Sequence, residues 1–226
     1  MRGRGEVILS TISTEVSESL GFTAVSNSGQ VTKAALRERV LAVRAGLPPD
    51  DLRVAGAAIA RRAVGLPELA AARTVAAYVS VGREPSTREL IDTLRDRGTR
   101  VLLPVLRPDN DLDWAAYEGA DSLVRARRGL LEPSAAALGV GAVTEADVVL
   151  LPGLAVDRRG LRLGRGGGSY DRVLARLAGG GFDPALVVVL YDDEVVEHVP
   201  AEPHDRSVRA AVTPSALHRF PEARPT

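Results

Sequence analysis

A glycine-rich loop between a buried strand and an amphipathic helix constrains this chain more than any other feature. The apolar run 148–151 predicts a buried strand, and Pro152 and Gly153 end it. A helix follows the loop, because its apolar residues recur at helical spacing over 170–177. The loop itself consists of Gly164, Arg165, Gly166, Gly167, Gly168 and Ser169.

A strand, a glycine-rich loop and a helix N-terminus together favour phosphate binding. Glycines allow the backbone to approach an anion closely, and the first amide groups of a helix have no partner within that helix. Arg165 adds a positive charge that suits oxygen-rich anions. The loop fits neither the Walker pattern nor the dinucleotide fingerprint. A flexible turn that binds nothing would have the same composition, so the loop alone leaves both alternatives open.

Composition places this chain among ordinary globular proteins. Its 226 residues can form one sizeable domain, which we assign to 31–226, after a disordered or variable tail at 1–30. The formal net charge is zero, so we expect neither nucleic acid nor a membrane surface as a partner. The chain has no cysteine, no long apolar run and no signal-peptide core. We therefore expect a cytoplasmic monomer that acts on a small molecule.

The segments before the glycine-rich loop predict a parallel sheet. We expect a strand over 74–81, a helix capped by Ser86 or Thr87 that runs to Arg97, and a strand over 101–103. Such a β-α-β unit indicates an α/β fold. Ligands of open parallel sheets bind beyond the carboxyl ends of the strands. Glu84 follows the first predicted strand, so it and the glycine-rich loop both fall at such ends.

The spacing of apolar residues, together with the prolines that end elements, predicts further helices and strands. A helix begins near Thr32 and ends before Pro48, and Asp50 or Asp51 can cap the next one. Its expected apolar positions are Leu36, Val40, Val43 and Leu47, and its expected polar positions include Lys33, Arg37 and Arg44. Later strands are expected over 112–117, 186–190 and finally 208–212. A lone tryptophan, Trp114, is assigned to the core.

The stretch PGLAVDRRGLRLGRGGGSYDR, residues 152–172, closely resembles the signature of the 5-formyltetrahydrofolate cyclo-ligase family. Lys33, the only lysine, opens a K-x-x-L-R element like the one with which these proteins begin. Other similar segments are E-x-x-T at Glu84, G-L-L-E-P at 129–133 and P-x-E-x-H-D at 200–205. The resemblance implies a three-layer α/β/α fold with a mostly parallel, Rossmann-like sheet.

The resemblance also implies a role for each matching residue. Glu84 would bind the folate, because a carboxylate accepts paired hydrogen bonds from a pterin. Arg165 would be catalytic. The implied ATP-binding residues are Lys33, Arg37, Arg162, the loop residues 164–169 and Tyr170; Val79 and Tyr170 would join Glu84 on the folate, and Asp171 and Asp205 would hold Mg²⁺.

Without the resemblance, each of these residues also has a structural interpretation. Two basic residues on a helix are commonly a solvated face, and Glu84 could pair with Arg83 or Arg88. Asp171 could only favour a helix N-terminus, and Asp205 could only pair with Arg206. The G-L-L-E-P segment is expected to be structural.

Two departures from the family pattern bear on substrate contacts. Ser169 occupies a position that is usually tyrosine, which removes an expected stacking contact. Glu194 stands where glutamine is common, so a ligand contact there is in doubt.

The implied activity is an ATP- and Mg²⁺-dependent ligase reaction of one-carbon metabolism. It would close 5-formyltetrahydrofolate to 5,10-methenyltetrahydrofolate by phosphorylating the formyl oxygen. Such a reaction needs aligned substrates and neutralised phosphate charge, but no protein nucleophile. Two alternatives stay open at this point. One is a relative of sugar-phosphate isomerases or CoA-transferases, and the other is a folate- or nucleotide-binding regulator without catalysis.

Overall fold

The computed structural model describes residues 31–202 and 205–221, and the predicted tail at 1–30 lies outside them. Five α-helices occur in this part of the chain: α1 Lys33–Gly46, α2 Pro49–Ala63, α3 Pro67–Ala71, α4 Arg88–Asp96 and α5 Ser169–Gly179. None of these helices combines the length and the apolar character that crossing a membrane requires.

A seven-stranded sheet runs through the centre in the order β12-β11-β9-β6-β1-β2-β3. Its strands are β1 Thr74–Ala76, β2 Arg100–Leu106, β3 Leu112–Ala116, β6 Val148–Pro152, β9 Ala185–Val189, β11 Ala210–Val212 and β12 Leu217–Arg219. The five inner strands are parallel, and β3 and β12 pair antiparallel at the two edges. The prediction of a mostly parallel α/β sheet is confirmed.

Two small sheets accompany the large one. The first joins β10 Val195–Val196, β7 Ala155–Asp157 and β8 Arg162–Leu163. The second is a hairpin of β4 Leu123–Arg125 and β5 Leu131–Pro133. The β7–β8 hairpin leads directly into the glycine-rich loop and α5.

Successive side chains of each strand point to opposite faces of the sheet, so the core has one part on each face. Val148 and Leu150 pack with α2, α3 and α4, whereas Val149 and Leu151 pack with α5 on the other face. Trp114 is fully buried on the α5 side, which confirms its assignment to the core. The result is the expected three-layer arrangement, with α1 packed separately against the β7–β8 hairpin.

Several local predictions need correction. Val43 is exposed and Arg44 is buried, so the buried face of α1 is rotated from the one that the apolar pattern indicates. The helix α2 begins with Pro48 as its N-cap residue, and neither aspartate caps it by a side-chain hydrogen bond. Thr87 is the N-cap residue of α4, but its hydroxyl donates to the carbonyl of Tyr78 instead.

The strands also differ in length and number from the prediction. The first strand pairs only over Thr74–Ala76, although the chain stays buried beyond the carboxyl end of this strand. The expected last strand begins at Ala210 rather than Val208, and β12 follows it. A short antiparallel edge strand such as β12 has too weak a periodic pattern to stand out in a sequence.

Candidate functional site

A cavity of about 300 Å³ lies where three adjacent parallel strands, β1, β2 and β6, reach their carboxyl ends. Crevices at this edge of a parallel sheet are the usual ligand sites of such folds. One part of its lining is apolar and includes Val79, Val81, Pro104, Leu106, Leu112, Leu130 and Leu131. The polar part includes Glu84, Arg162, the whole glycine-rich loop, Tyr170 and Asp171.

The glycine-rich loop holds a conformation that depends on its glycines. Gly166 and Gly168 have φ of 89° and 75°, a region that side chains disfavour. Gly168 is also the N-cap residue of α5, and it supplies no side-chain oxygen to the first amide groups of that helix. A Cβ on Gly167 would meet no atom within 4 Å, so the loop leaves open space at the cavity. An anion cradle requires these features, and anion binding by this loop stays a prediction.

Arg162 lies beneath the loop with only 6% of its side chain exposed. It donates to the Pro152 carbonyl at 2.9 Å and to Asp171 at 3.2 Å. Its Nε atom is buried and has no hydrogen-bond partner among the described residues. Burial lowers the pKa of Arg162, while Asp171 and Asp205 both act in the opposite direction. Asp171, one of the two predicted metal ligands, is therefore a direct partner of this guanidinium.

Two phenol groups face the same region without partners. The hydroxyls of Tyr78 and Tyr170 are buried, and neither has a hydrogen-bond partner among the described residues. Burial raises the pKa of both phenols, and the charge of Glu84 adds to this effect in each case. Buried polar atoms normally have partners, so orphans on a cavity indicate groups that a ligand or water satisfies.

Glu84 and Arg165 form an ion pair inside the cavity. The Arg165 Nε atom lies 3.2 Å from Glu84 Oε1, and Glu84 Oε2 accepts a hydrogen bond from the Val81 amide. Only 9% of the Glu84 side chain is exposed, compared with 53% for Arg165. The partner of Glu84 is thus neither Arg83 nor Arg88, the two candidates that are close to it in sequence.

Lys33 and Arg37, the two residues of α1 that were predicted to bind ATP, lie outside the cavity lining. Arg37 donates to the Gly164 carbonyl at 2.9 Å, so it holds the glycine-rich loop from the side. Lys33 binds Glu202 at 2.7 Å and Asp205 at 2.8 Å. Burial lowers the pKa of Lys33, but the hydrogen bonds and charges of these carboxylates outweigh burial and raise it.

Comparisons with known proteins identify the family of this chain. Residues 29–214 match the sequence model of the 5-formyltetrahydrofolate cyclo-ligase family. The 5-formyltetrahydrofolate cyclo-ligase of Mycolicibacterium smegmatis is 47% identical over 147 residues, which cover 63% of this chain and 74% of that protein. The Escherichia coli K12 enzyme of the same name is 36% identical over 176 residues, covering 77% of this chain and 96% of that protein. The chain belongs to this family.

Solved structures of related proteins show the same fold. The 5,10-methenyltetrahydrofolate synthetase of Aquifex aeolicus superposes with a TM-score of 0.72 at 26% identity, covering 86% of this chain and 95% of that one. The synthetase of Mycoplasma pneumoniae has a TM-score of 0.64 at 19% identity, covering 81% and 99%, and this likeness concerns the fold alone. The chain thus shares the fold of its family, and the isomerase and CoA-transferase alternative has no support in these relatives.

Glu194, where the sequence left a ligand contact in doubt, forms a structural ion pair instead. It is buried and forms a two-point ion pair with Arg44, at 2.6 and 2.8 Å. Arg44 also donates to the Gly153 carbonyl at 2.8 Å, and its guanidinium lies over the ring of Tyr191. Glu194 therefore supports the corner at Gly153 that lines the cavity. No sequence signal links two residues 150 positions apart.

Asp157 is a second residue whose role only the structure shows. It ends β7 at a turn, and its side chain is fully buried. It accepts hydrogen bonds from the amides of Arg159, Leu161 and Val199 and from the Arg159 guanidinium. Burial by itself raises the pKa of Asp157, but these hydrogen bonds outweigh burial and lower it. The aspartate of the signature thus fixes the β7–β8 hairpin that precedes the glycine-rich loop.

The G-L-L-E-P segment, 129–133, also does more than the structural role expected of it. Leu130, Leu131 and Glu132 line the cavity, as does Arg128 immediately before them. Glu132 accepts a hydrogen bond from the Leu106 amide, which fastens the hairpin to β2. The hairpin is therefore one wall of the site.

Proposed function

We propose that the protein closes 5-formyltetrahydrofolate to 5,10-methenyltetrahydrofolate in an ATP- and Mg²⁺-dependent reaction that releases ADP and phosphate. One observation carries the proposal. The glycine-rich loop and Glu84 share a single cavity with an apolar wall, so phosphate and a ring system could lie side by side there.

The phosphate side of the cavity would bind ATP. The loop amides and the N-terminus of α5 offer hydrogen-bond donors, and Arg165 and Arg162 add charge. Arg37 supports this side indirectly, because it holds the Gly164 carbonyl. Lys33 would act on phosphate only after parting from Glu202 or Asp205.

The remaining lining would bind the folate. Glu84 can accept hydrogen bonds from the amino and ring N–H groups of a pterin, and its Val81 contact fixes the carboxylate in place. Val79 and the leucines of the apolar wall suit the flat pterin and aryl rings. The buried hydroxyl of Tyr170 can pair with a polar atom of the bound substrate.

The chemistry requires little of the protein beyond alignment and charge neutralisation. Transfer of the γ-phosphoryl group of the substrate ATP to the formyl oxygen forms a C–O–P linkage. N10 then attacks the formyl carbon and loses its proton, and the C–O bond breaks as phosphate leaves. Arg165 would stabilise charge on the moving phosphoryl group, which is the basis of its proposed catalytic role. The cavity walls would shield the activated formyl group from water.

Asp171 and Asp205 are the proposed magnesium ligands. Asp171 is paired with Arg162, and Asp205 is paired with Lys33. The described residues contain no cluster of three acidic or histidine side chains that could hold a metal without help from a ligand. This donor set suits Mg²⁺, which keeps several waters and is held largely by substrate phosphates. The ion would neutralise phosphate charge during transfer.

The test follows the absorbance of 5,10-methenyltetrahydrofolate after the protein meets 5-formyltetrahydrofolate, ATP and Mg²⁺. We expect product only when all three are present, and none when ATP is omitted or Mg²⁺ is chelated. Product without ATP would contradict the phosphorylation step. Binding of ATP and folate without product would instead indicate the catalytically silent regulator.

A further inference from the structure

The β4–β5 hairpin presents three exposed arginines beside the cavity, namely Arg125, Arg127 and Arg128. None of them forms an ion pair or a side-chain hydrogen bond with any residue that the structure describes. Exposed arginines elsewhere include paired ones, such as Arg158 with Glu197, and single ones without an acidic partner among the described residues, such as Arg61 and Arg97, whereas the hairpin brings three close together in sequence. An unpaired cluster of three guanidinium groups favours an anionic ligand.

Arg128 has a backbone conformation that its residue type disfavours. Its φ and ψ are 58° and 21°, and Gly129 after it has a φ of 72°. With the hydrogen bond from the Leu130 amide to the Arg127 carbonyl, these angles describe a turn of the type I′ kind. Asn, Asp or Gly is the usual residue at the first central position of such a turn. A residue that breaks a local rule beside a cavity is a candidate for a functional role.

Arg128 also differs from the other arginines of the cavity in its charge pairing. The lining contains three arginines, of which Arg165 pairs with Glu84 and Arg162 pairs with Asp171. Arg128 is the lining cation that has no acidic partner among the described residues. Next to it the lining is apolar at Leu130 and Leu131.

Folates carry the chemical groups that complement this arrangement. An aminobenzoyl ring follows the pterin, and a glutamate with two carboxylates follows the ring. Further glutamates can be added through γ-linkages, and each adds one negative charge. Leucines beside an unpaired guanidinium suit an aryl ring followed by a carboxylate.

We propose that Arg128 binds a glutamate carboxylate of the folate substrate, and that Arg125 and Arg127 extend this site to γ-linked polyglutamate. The proposal rests on the proposed function, because it assigns a subsite of the same cavity.

The test compares three ligands that differ only in this tail: 5-formyltetrahydropteroate, which has no glutamate, 5-formyltetrahydrofolate, and its triglutamate. Dissociation constants are measured by calorimetry for the wild type, Arg128→Asn and Arg128→Lys. Asparagine tolerates the left-handed conformation, so Arg128→Asn removes the charge without straining the turn. Arg53→Gln is the matched control, because Arg53 is an exposed arginine on α2 outside the cavity.

We expect Arg128→Asn to weaken monoglutamate binding about five-fold, in the upper range for an exposed ion pair, and triglutamate binding at least as much. Binding of the pteroate should not change, and Arg128→Lys should lie between the wild type and Arg128→Asn. The difference between wild type and variant should shrink as salt is raised. Arg53→Gln should match the wild type with all three ligands.

Equal weakening for the pteroate and the glutamate forms would overturn the subsite, as would unchanged binding of all three. Both results leave the proposed function intact, because the wild type still binds folate and forms product. A wild type that binds none of the three ligands would overturn the subsite and the proposed function together.

Discussion

Arg165 and Glu84, the residues proposed for phosphate and for folate, are bound to each other at 3.2 Å across the cavity. Each neutralises the other's charge, and Glu84 is by far the less exposed of the two. Because both substrates would have to engage these residues, binding of either substrate would change the partner available to the other. We therefore expect mutation of Arg165 to affect mainly kcat and mutation of Glu84 to affect mainly folate binding.

Arg165→Ala should lower kcat by about 10²-fold, the usual effect of losing one group that stabilises charge in a transition state. The dissociation constant for folate should change much less, since the proposed contact is to phosphate. Steady-state rates at saturating ATP, with folate binding measured separately, would check this. Arg158→Ala is the control, because Arg158 is an exposed arginine of the same segment that lies outside the cavity. An unchanged rate would refute the role of Arg165.

Glu84→Gln should affect folate binding more than kcat. A neutral amide can still accept from the Val81 amide, but it cannot accept paired hydrogen bonds from a pterin as a carboxylate does. The loss of a charged hydrogen bond costs about 1.5–3 kcal/mol, so folate binding should weaken by about one to two orders of magnitude. Equilibrium binding of folate and ATP is the measurement. A variant with normal folate affinity but weakened ATP affinity would contradict the assignment.

Ser169→Tyr should tighten folate binding by about five-fold, because it adds an aromatic ring to the cavity lining. The tyrosine would restore the residue usual in cyclo-ligases at the first position of α5. Ser169→Ala is the control for loss of the hydroxyl and should leave folate affinity near the wild-type value. Titration with folate in the absence of ATP distinguishes the two variants. Weaker binding by Ser169→Tyr would show that serine creates space that this cavity needs.

Arg44→Met should lower the free energy of unfolding by about 3–5 kcal/mol, because it leaves the Glu194 carboxylate buried without its partner. The double variant Arg44→Met/Glu194→Leu should recover much of this loss, since it removes both charges together. Urea unfolding monitored by circular dichroism provides the comparison. A double variant as unstable as Arg44→Met would mean that the Gly153 contact of Arg44 matters more than its ion pair.

Asp157 should make the protein sensitive to acid. Its hydrogen bonds lower its pKa in the folded state, so its stabilising effect is present above the unfolded pKa of about 3.9 and is lost as pH falls through the folded pKa. Asp157→Asn should cost about 2 kcal/mol at neutral pH and flatten the fall of stability below pH of about 4. Melting temperatures measured from neutral to acidic pH would reveal both effects. Asp121→Asn, at an exposed aspartate, serves as the control and should follow the wild type.

Much of the site could be predicted from sequence because its parts are local. The loop 164–169 lies between a strand and a helix whose patterns are clear, and Glu84 follows a strand of the same parallel sheet. Sheet geometry alone then brings them to one edge. The burial of Arg44 could not be predicted in this way, because the face of α1 that becomes buried depends on the acidic partner that Glu194 supplies.

The sequence by itself determined the α/β class, the parallel β-α-β unit, the core position of Trp114 and the glycine-rich loop at the start of α5. These follow from periodicity, breakers and short-range sterics, which act between neighbours in the chain. Only the tertiary structure decided that Arg165 binds Glu84, that Glu194 binds Arg44 and that the hairpin carrying Arg128 forms one wall of the cavity. The hydrogen bond from the Leu106 amide to Glu132 holds that hairpin in place. The two ion pairs join charges distant in sequence that meet only after the sheet has assembled, and burial of both carboxylates then fixes their pairing because an unpaired buried charge is costly.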